Sequence, residues 1–284
     1  MTNRYPEPPM SRQALPVILA TAASLALSAG RLPAQEPLAE VQLSASAGLT
    51  WGGPLWSVAA QPTLVSTTGT VALDTFALTR RLSSGLTAWL GFTKYARPHI
   101  GFGAEIAWVA ASLETGCGFA GQQVRPDLSQ GNAAACGNVG QQRLATSAIA
   151  ALGTIALRAA PRRDLSPYVK VGLGVAILSG SFVGSGADYS TDACPLCYKE
   201  IYAPDSRSFT WAGTLAAGLI FGGGLPVRFR VELRDFVLGL PTVTGPANPV
   251  DSHPMPEMTV RATHRLTLAM GLDLVSGGLR RRRY

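Results

Sequence analysis

Four cysteines carry the chemistry that depends most on spacing. Cys117 and Cys136 lie in one polar segment, and Cys194 and Cys197 form a C-x-x-C pair in another. A C-x-x-C pair can serve thioredoxin-like redox chemistry or help to bind zinc, but the first needs a βαβ context and the second needs further ligands, and neither accompanies this pair. We therefore expect disulfides 117–136 and 194–197, with a pairing across the two segments as the alternative.

Three histidines, His99, His253 and His264, are the candidate general acids or bases, because imidazole titrates near neutral pH. His264 has no serine two residues away along the chain. The Asp-Ser-His run at 251–253 has no identifiable third partner. The sequence therefore predicts no catalytic residue, no cofactor site and no metal site.

Nine charged residues occupy alternate positions in segments that are otherwise apolar or small. They are Glu105, Lys170, Arg228, Arg230, Glu232, Arg234, Arg261, Arg265 and Asp273. Alternate residues of a strand point to opposite faces, so these charges would share the inner face of a barrel. Buried charges must pair with one another or face water. The set therefore predicts either a packed salt-bridge core or a narrow pore, which would prefer anions because basic residues outnumber acidic ones.

The elements that position these charges are long amphipathic strands. In 259–274 the even positions are apolar apart from His264, whereas the odd positions carry charges, hydroxyl groups or small residues. A typical soluble strand has roughly 5–6 residues, and a strand that crosses a bilayer needs about 9–11. This longer alternating segment therefore indicates the last strand of a closed membrane barrel.

Eight such segments are separated alternately by long and short connections. They are 40–51, 86–94, 101–113, 144–158, 167–178, 208–221, 227–238 and 259–274. The first long connection, 52–84, is interpreted as a loop with or without a hairpin. Outer-membrane barrels alternate short periplasmic turns with longer external loops in this way. The predicted fold class is all-β, an eight-stranded antiparallel up-and-down transmembrane β-barrel, which leaves no open sheet edge.

Composition favours a membrane barrel over the other classes considered. Charged residues make up 14% of the chain, against roughly 25% in soluble domains. The net charge of +7 does not indicate a nucleic-acid partner, because the basic residues do not cluster on an aromatic face; many fall in short turns, at alternating strand positions or in the tail 280–283. A bundle of membrane helices would spread the charges of 227–238 into lipid. A soluble calycin-like barrel would reverse the two faces, and the Arg-rich polar face with aromatics near strand ends favours the membrane.

The two ends of the chain differ from the barrel segments. Arg12, the Ala/Leu-rich run 14–29 and Leu-Pro-Ala-Gln at 32–35 are typical of an export signal, and the apolar run is shorter than the about 20 residues of a membrane helix. We divide the chain into a signal peptide (1–35), the barrel domain (36–275) and a basic periplasmic tail (276–284). Export would bring the cysteines into an oxidising compartment, which favours disulfides.

The signal peptide, the alternating segments, the rhythm of the connections and stretches such as Pro-Tyr-Val-Lys-Val-Gly-Leu-Gly-Val at 167–175 resemble the outer membrane β-barrel domain family, the small eight-stranded OmpA-like barrels. The resemblance covers 40–274. It implies a monomer in the bacterial outer membrane, without a cofactor, in contact with outer-membrane lipids and the barrel assembly machinery.

For function, the resemblance implies a structural or interaction role, with long disulfide-stiffened external loops that face an unidentified ligand. Two alternatives stay open. One is the narrow, anion-preferring pore for small solutes. The other is a lipid-modifying barrel enzyme, in which a lipid-facing histidine such as His264 would act.

Overall fold

The computed structural model describes residues 40–67, 70–120, 129–161, 163–179, 182–191, 194–202, 209–250 and 255–277. Within these ranges the chain forms twelve strands and one helix. No helix in the described ranges is both long and apolar enough to cross a membrane. The elements are β1 (Glu40–Thr50), β2 (Gly53–Thr67), β3 (Thr70–Leu82), β4 (Gly85–Arg97), β5 (Ile100–Phe119), α1 (Ser129–Gln141), β6 (Arg143–Arg158), β7 (Leu165–Leu178), β8 (Ser185–Thr191), β9 (Cys194–Tyr202), β10 (Phe209–Phe221), β11 (Val227–Val243) and β12 (Met258–Gly277).

Eight of these strands close into a ring. Their order is β1, β4, β5, β6, β7, β10, β11 and β12, and β12 pairs with β1 again. Every pairing is antiparallel. The closing pair runs from Glu40 opposite Gly277 to Thr50 opposite Thr267. The predicted eight-stranded antiparallel barrel is confirmed, and 259–274 belongs to its closing strand.

The ring exposes its apolar side chains and buries its polar ones. On the outer surface, Leu49, Leu90 and Leu173 are 65%, 67% and 78% exposed. On the inner face of β1, Gln42 and Ser44 are buried. A soluble calycin-like barrel would show the opposite arrangement, and an apolar band of this extent is stable in lipid rather than in water. A closed antiparallel barrel with such a band is the architecture that crosses outer membranes, so the protein lies in the bacterial outer membrane.

Tight turns join the strands at one end of the ring, and long insertions join them at the other. The turn between β10 and β11 contains Gly222 and Gly224 with φ of 86° and 92°. Glycine adopts this left-handed region without the steric penalty that a Cβ would bring. The connections between β4 and β5 and between β6 and β7 are also short. The predicted alternation of long and short connections is confirmed, and the end with the tight turns is the periplasmic one.

The long connections are more ordered than the polar loops that we predicted. β2 and β3 form a hairpin, and β3 pairs with the outer end of β5. β8 and β9 form a second hairpin. β5, β11 and β12 extend well past the length needed to cross a bilayer. We call the outer cap the set formed by β2, β3, residues 113–119 of β5, α1, residues 182–184 with β8, β9 and residues 239–250.

The outer cap has an apolar core that continues into the lumen of the ring. Trp56 packs edge-on against Tyr202 with ring centroids 5.6 Å apart, and Phe76 lies 5.4 Å from Phe119. The same apolar cluster includes Trp89 inside the ring. Its buried cap members are Leu55, Trp56, Val58, Phe76, Leu78, Leu82, Leu113, Ala135, Cys136, Val139, Phe182, Val183, Ile201, Tyr202, Leu240, Val243 and Ala247.

The described barrel begins at Glu40 and ends at Gly277. The predicted signal peptide (1–35) lies outside the described residues. Of the predicted basic tail (276–284), Ser276 and Gly277 belong to β12 and 278–284 lie outside the described residues, so the signal peptide and the tail stay predictions.

Candidate functional site in the barrel lumen

Three charged side chains form a basal cluster at the periplasmic end of the lumen. Glu40 Oε1 accepts hydrogen bonds from Arg158 Nη1 at 2.5 Å and from Arg228 Nη1 at 2.9 Å. The Arg158 guanidinium lies 3.8 Å from the ring centroid of Tyr95 and donates through Nε to Pro98 O at 2.7 Å. Arg228 was among the nine predicted residues, whereas Glu40 and Arg158 were not. Each stands alone as a charge at a strand end, so no local pattern marked it.

A second, larger group fills the middle of the lumen, and we call it the central network. Glu105 accepts from Lys170 Nζ at 2.5 Å and from Arg234 Nη1 at 2.6 Å. On the other side of Arg234, its Nε lies 2.5 Å from Glu232 Oε1. Six charged side chains form the network, namely Glu105, Lys170, Arg230, Glu232, Arg234 and Asp273.

Arg230 and Tyr168 extend the central network towards β12 and β7. Arg230 Nη1 lies 3.3 Å from Asp273 Oδ1, and its Nη2 donates to Ser46 Oγ at 2.6 Å. The hydroxyl of Tyr168 donates to Glu232. The central network as a whole links charges from four strands, β5, β7, β11 and β12, which the closed ring brings together.

The central network is almost completely shielded from water and carries no net formal charge. All six charged side chains belong to residues that are at most 2% exposed. Three carboxylates, those of Glu105, Glu232 and Asp273, face three cations, those of Lys170, Arg230 and Arg234. Charges at this burial are stable only when paired, and here each has a partner of opposite sign.

Above the central network the lumen becomes apolar. The Arg234 guanidinium lies 4.1 Å from the ring centroid of Trp89, which packs edge-on against Phe236 at 5.8 Å. Aliphatic side chains such as Val109 and Leu178 continue this lining towards the outer cap. The sequence gives only a weak signal for this region, because 144–158 has apolar or small residues on both faces and therefore lacks a clear alternation of apolar and polar positions.

Two of the nine predicted lumen residues lie apart from both clusters. Arg261 is exposed, so its assignment to the lumen was wrong. The physical reason is strand stagger: β1 ends at Thr50, opposite Thr267, while β12 continues outward to Met258. Arg265, four residues closer to the membrane, is buried, and its Nη2 donates to Ser83 O at 3.2 Å.

A buried arginine that the sequence did not single out ties the outer cap together. Arg80 of β3 donates to the hydroxyl of Thr115 on β5 and to Gly184 O, next to β8, at 2.8 Å. Burial lowers the pKa of Arg80 to about 10, because desolvation disfavours the charged guanidinium. Such a residue leaves no sequence signal, since Arg80 and Arg81 have the same type and only one of them is buried.

His264 lies on the outward-facing side of β12, near the outer rim. Its Nδ1 is 2.6 Å from Asp235 Oδ2, and Asp235 Oδ1 also accepts from the backbone N–H of Arg265. The hydrogen-bond partner of His264 in the described structure is therefore a carboxylate and not a serine. His99 lies at the periplasmic turn, with Nδ1 2.9 Å from Arg158 O, and His253 lies outside the described residues.

The cysteines divide into one described pair and one that stays a prediction. Cys117 and Cys136 form a disulfide that joins β5 to α1, which confirms the predicted pairing. Cys194 and Cys197 lie on β9 opposite β8, and their side chains are outside the described part of the structure. The 194–197 disulfide therefore stays a prediction.

No protein-family model and no curated protein sequence matches the chain. Among solved structures, Neisserial surface protein A (NspA) is 8% identical, with 86% of this chain and 99% of that chain covered and a TM-score of 0.36. AlkL, an outer membrane protein solved by solid-state NMR in lipid bilayers, is 13% identical, with 87% and 96% covered and a TM-score of 0.37. Ail of Yersinia pestis, solved with the heparin analogue sucrose octasulfate, is 9% identical, with 85% and 100% covered and a TM-score of 0.32. Scores at this level carry no argument about function, so the fold rests on the closed ring of strands itself.

Proposed function

We propose that this outer-membrane barrel is a structural and interaction protein that presents the outer cap as a rigid surface outside the cell. In this proposal the ring anchors the cap, and neither conduction nor catalysis is its main task. The observation that carries the proposal is the packing of the long connections into one apolar core that continues into the barrel.

Polar contacts between distant parts of the chain support the rigidity of the cap. Trp56 Nε1 on β2 donates to Phe182 O at 3.1 Å. Gln61 Nε2 donates to Ala247 O at 3.1 Å, and the backbone N–H of Ala247 donates to Gln61 Oε1 at 2.8 Å. Because Gln61 and Ala247 each donate one hydrogen bond and accept one, their relative position is fixed, and a rigid surface is what recognition of a partner requires.

The connection between β5 and β6, which the sequence presented as a polar loop, is held to the cap from several sides. The 117–136 disulfide ties α1 to β5. The side-chain amide of Asn132 on α1 donates to the buried carboxylate of Asp74 on β3. These contacts support a cap whose parts move together rather than as separate loops.

The filling of the lumen weakens the case for an anion-preferring pore. The case rested on an excess of basic residues among the nine predicted ones. In the described structure the central network is neutral and almost completely buried, and the excess positive charge is limited to the basal cluster, where Arg158 and Arg228 share Glu40, and to Arg265. An eight-stranded barrel is also only wide enough for its interior to be filled by side chains.

Two measurements on the full-length mature protein in lipid test the proposal. In planar bilayers we expect no reproducible single-channel steps under conditions in which a porin control conducts. By amide hydrogen exchange we expect β2 and β3 of the cap to be protected to a degree similar to the strands of the ring. Discrete anion-selective steps, or rapid exchange throughout β2 and β3, would overturn it.

A further inference from the structure

A cavity of about 210 Å³ lies at the outer rim of the ring, between the start of the β2–β3 hairpin and the outer part of β12. The lining residues that matter here are Leu55, Leu82, Arg261, Thr263, His264 and Arg265. Two arginines and a hydroxyl group therefore share the cavity with two buried leucines.

The cavity exists because the ring is incomplete above the end of β1. The last bond between the two closing strands runs from Trp51 N to Leu266 O at 2.9 Å. The chain then turns into β2, which pairs with β3 instead of β12. From Met258 to Arg265, β12 has β11 as its strand neighbour on one side, and the described pairings give it none on the other. This edge of β12 lies beside the start of β2 without pairing to it, near the outward-facing Trp51, a residue type that is enriched at membrane interfaces.

Arg265 is the exception among the buried cations of the lumen. Each of the others has a carboxylate oxygen within 3.3 Å, and they are Arg158, Lys170, Arg228, Arg230 and Arg234. Arg265 is 2% exposed and has no ion pair among the described residues. Its Nη2 donates to Ser83 O, whereas its Nη1 is buried and has no hydrogen-bond partner within the described ranges.

A buried guanidinium with an unsatisfied donor is unfavourable unless an acceptor reaches it, and an anion is the acceptor that also balances its charge. The cavity provides the route for such an anion, since Arg265 lines it and Arg261 lies at its exposed side. Asp235 does not meet the need, because its carboxylate contacts the backbone N–H of Arg265 and the ring of His264.

We propose that this cavity binds the anionic head group of an outer-leaflet lipid, a phosphate or carboxylate that pairs with Arg265 and Arg261. The first carbons of the lipid lie against Leu55 and Leu82. The volume is below the about 300–1,000 Å³ of sites for drug-sized ligands, so the cavity holds the head group while the chains stay in the membrane. The position of the cavity at the outer rim, beside the unpaired edge of β12, places the head group near the membrane interface in this proposal.

Binding of dodecyl phosphate to the full-length protein in a zwitterionic detergent tests this inference, with the ³¹P signal as the readout. We expect saturable binding that Arg265→Gln weakens at least about tenfold, since hydrogen bonds to a charged group are lost. Arg261→Gln should weaken it less, because Arg261 is exposed. Arg143→Gln, an exposed arginine on β6 away from the cavity, is the matched control and should bind as the parent does.

Two further arms separate the sources of the anion. Inorganic phosphate should bind far more weakly than dodecyl phosphate, and the uncharged dodecyl maltoside should not compete. Equal binding of inorganic phosphate would overturn the lipid assignment, and unchanged affinity in Arg265→Gln and Arg261→Gln would overturn the site. If Arg265→Gln does not fold, Arg261→Gln carries the test, because Arg261 is exposed and its replacement leaves the buried charges in place.

Discussion

Glu105 bridges two cations of the central network, so its removal tests whether the lumen charges hold the barrel together. It contacts Lys170 at 2.5 Å and Arg234 at 2.6 Å, and all three residues are at most 2% exposed. Glu105→Gln preserves the size of the side chain and one acceptor oxygen but removes its charge. Arg234 keeps Glu232 at 2.5 Å, whereas Lys170 has no other carboxylate in ion-pair contact within the described ranges.

The expected loss follows from the stranded ammonium group of Lys170. Breaking a buried ion pair by removing one partner costs about 3–5 kcal/mol, because the remaining charge stays in a medium of low dielectric constant. We expect the lower end, about 3 kcal/mol, since Arg234 retains a carboxylate and glutamine can still accept a hydrogen bond. If the free energy of unfolding falls by about 2 kcal/mol per molar urea, a loss of this size lowers the urea midpoint of unfolding by about 1.5 M.

The assay is reversible urea unfolding in lipid vesicles, read from the mobility difference between the folded and boiled chain on a gel. Glu257→Gln, exposed in the connection between β11 and β12, is the matched control and should stay within about 0.5 kcal/mol of the parent. Adding Lys170→Met to Glu105→Gln removes the stranded charge and should recover much of the loss. Equal midpoints for Glu105→Gln and Glu257→Gln, or no recovery in the double variant, would refute the pairing argument.

Two other changes test the outer cap and the lipid-facing surface. Replacing Cys117 and Cys136 together by serine should destabilise the cap by about 3 kcal/mol, since the disulfide closes a loop with a sequence separation of 19. Amide hydrogen exchange in α1 should accelerate, while the ring keeps the difference in gel mobility between the folded and the boiled chain. Unchanged amide exchange in α1 would contradict this. Met270→Arg, on the outer face of β12, should lower the free energy of unfolding by about 2–4 kcal/mol, because arginine would enter the hydrocarbon region of the membrane. Ser57→Arg, on the exposed surface of the cap, is the control and should have little effect on urea unfolding. Equal effects of the two arginines would argue against the membrane face.

The division of the lumen into charged and apolar parts has a consequence for assembly. The charged clusters lie at the periplasmic end and the middle, and the apolar lining runs from Trp89 into the cap. Because Trp89 of the ring lies in one apolar cluster with cap residues such as Leu82 and Leu113, the cap and the ring are joined through side chains as well as through the chain. A cap held in this way has a fixed orientation relative to the membrane, as the proposed interaction role requires.

Strand positions and faces were predictable because alternation is a local property of the chain. The lumen charges of β11 stand at every second position, so Arg228, Arg230, Glu232 and Arg234 could be assigned to one face without knowing their neighbours. The cap core was not predictable. Phe182 lies among Gly and Ser residues and Ile201 follows Lys199 and Glu200, so neither stands in an alternating apolar pattern; both become buried only when separate connections meet.

By itself the sequence determined that the chain forms a ring of eight membrane strands, which face of each strand meets lipid, and which of the connections are long. Only the tertiary structure decided which charges pair and which stand alone, because pairing depends on the stagger between strands from distant parts of the chain. Arg261 and Arg265 share the same parity on β12. Since β1 ends at Thr50, the first rises above the ring into solvent, and the second stays buried in it without a carboxylate among the described residues.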